Sequence, residues 1–179
     1  MVEKRELPNF KYVPDPIKAG VIIKKDAICQ VCNEKTDYIY IGPFTSYEEI
    51  ENICPWCIKY GLAVEKYEGE FYGVSYNADI SQEEYSDELA YRTPSFDSCD
   101  SEVEWLIHCK DYCAFLGYVD WEDIMGIKEQ INDDIEEIKD MFNLTQEELE
   151  KELSVNGFLK GFLFQCIKCG QYRLTVHTS

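Results

Sequence analysis

Apolar positions along the chain change period several times, and each change marks an element. Ile124, Ile127, Ile131, Ile135, Ile138 and Phe142 recur every three or four residues, with Asp and Glu between them. This is the spacing of one helical face and predicts an amphipathic acidic helix whose stripe lies on a core. TDYIYIG at 36–42 and AFLGYV at 114–119 are short runs of β-prone residues and predict strands. KYEGEFYGVSY alternates aromatic and polar residues and reads as β-like, and GFLFQCIKCGQYRLTV sets two such runs about a turn, as in a hairpin.

Polar punctuation supplies the helix starts. Ser46/Glu49, Ser81/Glu84, Ser101/Glu104 and Thr145/Glu148 each follow the capping-box spacing. The second predicts a helix to about Tyr91, stopped by Thr93-Pro94. The third predicts a helix through Trp105, Leu106 and His108, and the fourth a helix just before the C-terminal hairpin. Pro8, Pro14 and Pro16 keep the first twenty residues from helix and predict an extended arm. The expected class is α+β.

With 45% apolar and 14% aromatic residues, the chain can fill a core and falls outside the composition of disorder. Its apolar runs are too short to cross a bilayer, and MVEKRELPNFKY lacks the apolar centre of a signal peptide, so a soluble cytoplasmic protein is expected. The net charge of −18 is localised, because 23 acids and only 5 bases lie within 79–152. That field repels phosphate backbones and anionic membranes, which excludes nucleic acid and membrane as expected partners, while a basic protein would be steered in. The bland reading is an acidic surface that keeps the protein in solution.

Six of the nine cysteines form three C-x-x-C pairs, Cys29/Cys32, Cys54/Cys57 and Cys166/Cys169. Two residues between thiolates let one turn aim both sulfurs at a tetrahedral ion, and in a cytosolic chain this spacing points to metal before disulfide. The first two pairs, 21 residues apart, predict a structural Zn²⁺ site in a treble-clef-like module, with a short strand between them and Cys54/Cys57 at a helix start. A glutaredoxin-like redox role for Cys54-Pro-Trp-Cys57 is the rival, and the helical reading of TSYEEIEN before it argues against a strand–turn–helix redox site.

The third pair looks like a zinc-ribbon hairpin that needs two more ligands. Cys109 and Cys113 are the expected partners, with His108 in place of Cys109 as the alternative, since neighbouring side chains in a regular element point apart. Alternatively, Cys109 and Cys113 are buried thiols. Cys99, among acids, is expected to stay unligated. The organisation expected is an arm plus first zinc module over 1–76, then an acidic helical segment closed by a second zinc site over 77–179, with one compact unit as the alternative.

The blocks LPNFKYVPDPIKAGVI, CQVCNEKTDYIYIGPF, ICPWCIKYGLA, RTPSF, EWLIHCKDYCAFLGYV and LFQCIKCGQYRL, in this order over nearly the whole chain, resemble the CbrC family of small bacterial proteins. The resemblance includes Trp105, His108, Cys109, Asp111 and Cys113 and implies a site around that segment. It further implies a role associated with tolerance to a nuclease colicin, and it brings no catalytic residues. SFDSCDSE departs from the family pattern, which expects Gly, Trp and Gln there.

Three functions compete. The first is a non-enzymatic zinc protein that binds a basic partner such as a toxin nuclease. The second is a zinc hydrolase using His108 and Asp111 as base and orienter, poorly provided for because His177 is the only other histidine. The third is a thiol sensor that releases zinc on oxidation. P-loop, G-x-G-x-x-G, G-x-S-x-G and H-E-x-x-H motifs are absent from the sequence.

Overall fold

A computed structural model describes residues 6–74, 79–80, 82–97, 104–154 and 157–178. The chain forms two compact units, Met1–Asp97 and Ser98–Ser179. The secondary structure mixes helix and strand. Among the described residues, no helix is long and apolar enough to cross a membrane.

In the first unit, strands β1 (Ile22–Ile28) and β2 (Lys35–Tyr40) form an antiparallel hairpin. Helices α1 (Pro55–Lys59), α2 (Leu62–Tyr67) and α3 (Glu83–Arg92) follow. Helical backbone over IKYGLAVEKY is broken at Gly61, whose φ of 71° suits a residue without Cβ. The proline-bearing arm is stitched in by Phe10, Tyr12 and Val13, all fully buried. Helix α3 belongs here because its Glu88 pairs with Lys59 at 2.9 Å and its Ala90 carbonyl accepts from the Phe71 N–H at 2.8 Å.

Two elements expected in this unit do not form. Residues 46–53 carry no helix, because Thr45 exchanges both backbone hydrogen bonds with Glu70 and the Ser46 hydroxyl is taken by the Glu48 carbonyl. That same Thr45–Glu70 bridge is isolated, so the expected β-like stretch reduces to one pairing over its described part. Ser81, Cys99 and Ser101 lie outside the described residues.

The second unit opens with a tight hairpin, β3 (Ile107–His108) and β4 (Asp111–Tyr112), where a helix through Trp105 and His108 was expected. Cys109 and Lys110 both have positive φ, 51° and 61°, as the two-residue turn joining antiparallel strands requires. Trp105 is buried, its indole N–H donating to the Cys113 carbonyl at 2.7 Å, which anchors the chain in extended form.

Strands β5 (Ala114–Val119), β6 (Leu159–Gln165) and β7 (Tyr172–Thr178) make an antiparallel sheet in that order. The long isoleucine stripe is divided among α4 (Trp121–Ile124), a 3₁₀ stretch at Met125–Ile131 and α5 (Asn132–Phe142). Gly126, a weak helix former, sits in the tightened part. Ile124, Ile131, Ile135 and Ile138 still reach one core, with Val119, Leu149, Leu159 and Leu174. Helix α6 (Gln146–Glu152) starts with the predicted box: the Thr145 N–H donates to Glu148 at 2.8 Å, and the Glu148 N–H donates to Thr145 Oγ1 at 3.3 Å. The Thr145 N–H and hydroxyl hold the Glu148 carboxyl below the usual carboxylate range.

Asp134 departs from the expectation of acids on the outer side of this helix, being only 6% exposed. It accepts from Arg173 Nε at 2.9 Å and from the Leu174 N–H at 2.8 Å, and Arg173 Nη2 lies 2.9 Å from it. Removing one member strands the other, so Asp134→Ala should destabilise the protein by about 2–4 kcal/mol, read from urea unfolding. A loss under about 0.5 kcal/mol would show that the pair is not a stabilising tie.

Candidate metal centres

The first group of donors is set by hairpin and helix together. Cys29 directly follows β1, and the turn is closed by two hydrogen bonds: the Cys29 N–H to the Glu34 carbonyl at 2.9 Å and the Asn33 N–H to the Cys29 carbonyl at 2.8 Å. Asn33 has φ 60°, a left-handed position that asparagine tolerates. The Tyr40 N–H bonds the Ile53 carbonyl at 2.9 Å, which holds the residue before Cys54 against β2. Cys54 is the N-cap of α1 with Pro55 behind it, and its N–H donates to Cys29 Sγ at 3.3 Å. The donor atoms of Cys29, Cys32, Cys54 and Cys57 all lie within 4.8 Å of one another.

The second group repeats half of this construction. The Cys166 N–H bonds the Gln171 carbonyl at 2.8 Å, the Gly170 N–H bonds the Cys166 carbonyl at 2.9 Å, and Gly170 has φ 77°. The strand register is the same too, Gln165 facing Tyr172 as Ile28 faces Lys35. The other donors come from the β3–β4 turn. His108 Nδ1 lies 3.3 Å from both Cys109 Sγ and Cys169 Sγ, and Cys166 Sγ lies 3.9 Å from the His108 carbonyl. His108, Cys109, Cys166 and Cys169 therefore form the group, again within 4.8 Å.

Cys113, expected as the fourth ligand, is not in that group. It is fully buried at the start of the sheet, where its N–H bonds the Leu106 carbonyl at 2.8 Å. Both members of the neighbouring pair His108 and Cys109 contribute instead. The expectation that they point apart holds within a strand, but the left-handed φ of Cys109 turns its side chain back beside His108. Asp111, 2% exposed, accepts from the Tyr112 N–H at 2.8 Å and lies 3.9 Å from Lys168 Nζ.

The donor sets suit Zn²⁺. Sulfurs about 2.3 Å from a tetrahedral ion sit about 3.8 Å apart, and replacing one by nitrogen shortens that edge to about 3.6 Å. Cys29 Sγ and Cys57 Sγ are 3.8 Å apart, and the two sulfur–nitrogen separations at His108 are slightly shorter than the ideal edge. Left to themselves the thiols titrate unevenly. The thiols of Cys54 and Cys57 turn toward Cys29 and pull it far below its ordinary value, and sharing with that anion pushes Cys54 up to about 12 and Cys57 higher still.

In the second group, burial pushes Cys166 up, yet the N–H groups of Cys169 and Lys168 with the His108 side chain outweigh it and hold it at about 6. Cys109 is raised to about 11 by sharing with Cys169. Burial raises Cys113 to about 12, as befits an unligated interior thiol.

The chain matches the uncharacterised protein family UPF0167 over residues 7–178. It belongs to that family. The UPF0167 protein Mb2317 of Mycobacterium bovis is 33% identical over 171 residues, covering 93% of this chain and 90% of its own. The UPF0167 protein PA1536 of Pseudomonas aeruginosa is 32% identical over 180 residues, covering 92% and 93%. No solved structure matches. Among its described residues this UPF0167 chain thus carries two clusters of cysteine, one completed by histidine, each placed so that it could hold a metal ion.

Two outcomes follow from the geometry. Cys113→Ala should leave the zinc content unchanged, whereas His108→Ala should weaken one site by about 10-fold or more in chelator competition; loss of an ion with Cys113→Ala would reinstate it as a ligand. The raised thiols must shed protons to bind metal, so protons compete with the ion and zinc affinity should fall steadily from pH 8 to pH 6. An affinity independent of pH would contradict sulfur ligation.

Proposed function

We propose that this UPF0167 protein is a non-catalytic zinc protein that acts by binding another protein, with one structural Zn²⁺ held by Cys29, Cys32, Cys54 and Cys57 and a second by His108, Cys109, Cys166 and Cys169. The observation that carries this reading is the donor count: each cluster offers four thiolate or imidazole ligands, enough to fill a tetrahedral zinc without an open position for substrate. The first unit is then a treble-clef-like module, a knuckle hairpin followed by a helix start, and the β6–β7 hairpin is ribbon-like. Among the described residues the eight cysteines are free of disulfides, which suits a reducing cytoplasm.

The hydrolase alternative draws little support, since His108 is drawn into the ligand set and Asp111 is engaged with Tyr112 and Lys168. For the partner, the charge of −18 favours a basic protein, and a positively charged nuclease domain of the kind implied by the sequence resemblance is the first to try. Protein purified without added metal should contain two equivalents of zinc, one per cluster. It should also bind such a domain at low ionic strength with an on-rate that falls by about tenfold or more at high salt. Native material without zinc, or no association with basic nuclease domains even at low salt, would reject this function.

A further inference from the structure

The two clusters share a knuckle but differ in how they are enclosed. Cys29, Cys54 and Cys57 are buried, and helix α2 grips the knuckle from outside. Lys66 Nζ donates to the carbonyls of Gln30 and Val31 at 2.9 and 2.8 Å, and the Tyr67 hydroxyl donates to that of Gln30 at 3.1 Å. Opening this cluster means lifting α2 and parting a core that includes Ile53, Ile58 and Ala63. In the second cluster only Cys166 is buried, His108 is half-buried, and Cys109 and Cys169 are exposed. Its turn holds two non-glycine residues in the left-handed region and is tied to the knuckle by Lys168 Nζ on the Cys109 carbonyl at 3.1 Å.

We infer that the second cluster is an exchangeable zinc site, loaded and emptied through its Cys109–Cys169 face, while the first keeps its ion for as long as its unit stays folded. This rests on the zinc-binding reading above. In the exchange, a donor atom of an incoming ligand bonds to zinc as the Cys109 or Cys169 sulfur leaves, and the departing thiolate takes a proton from solvent; no electrons change hands. Lys168 Nζ, 3.1 Å from the Cys109 carbonyl and 3.9 Å from Asp111, keeps an ammonium at this face. The favoured exchanging ligand is accordingly a small anion with a soft donor, such as a thiolate.

The full chain, loaded with two equivalents of zinc, is mixed with excess pyridylazo-resorcinol, an anionic chelating dye, and release is followed by absorbance. Two phases of equal amplitude are expected, the first faster by about tenfold or more because local opening suffices. The double variant Cys109→Ser, Cys169→Ser should lose only the fast phase. Iodoacetamide added to the wild-type protein during that phase, followed by mass mapping, should label Cys109, Cys166 and Cys169 before Cys29, Cys54 or Cys57, and this reading does not depend on the variant's folding. Release of both ions in one phase, a fast phase abolished by Cys29→Ser, or early labelling of the first cluster would overturn the inference. Fewer than two equivalents after loading would remove the zinc reading itself, and the exchange with it.

Discussion

Convergence of soft donors at the end of a β-hairpin is the constraint on which both units turn. A C-x-x-C knuckle presents two sulfurs but cannot complete a tetrahedron, so the rest of each unit is arranged to bring a second pair to it. In the first unit the Cys54 N–H on Cys29 Sγ and the start of α1 do this; in the second, the turn between β3 and β4 does. Once an ion holds the four donors, binding free energy becomes folding free energy.

The two knuckles are the same device used twice. Their closing hydrogen bonds, the left-handed residue after the second cysteine and the strand register all correspond, with Asn33 in one and Gly170 in the other. What differs is the completing half, and the chemistry follows from that difference. A buried helix start with Cys54, Cys57 and Ile58 encloses the first cluster, whereas a two-residue turn leaves the second open at Cys109 and Cys169. Histidine in place of a fourth thiolate also leaves the second site with one less negative charge when filled.

Much of this was legible in the residues, because knuckle, strand and capping signals act over a few positions. The C-x-x-C pairs, the strand after Cys113, the Thr145 box and the α+β mixture all rest on such local chemistry. Where long-range pairing competes with a local signal, the pattern misled. Ser46 and Glu49 have capping-box spacing, but Thr45 is already paired with Glu70, and the segment cannot coil. Trp105 to His108 reads as helix until Trp105 is anchored on the Cys113 carbonyl. Cys109 and Cys113 have chelating spacing on a helix, and on a turn followed by a strand they separate. The positive φ of Cys109 carries no sequence signal, since a Cys-Lys pair lacks the glycine or asparagine that usually marks such a turn.

X-ray absorption at the zinc edge tests the central claim most directly, because it counts the ligand types around the bound ions in the intact protein. The account predicts seven sulfurs and one imidazole nitrogen shared between two ions, at tetrahedral distances. Oxygen-rich coordination, or a spectrum with eight sulfurs and no nitrogen, would contradict it.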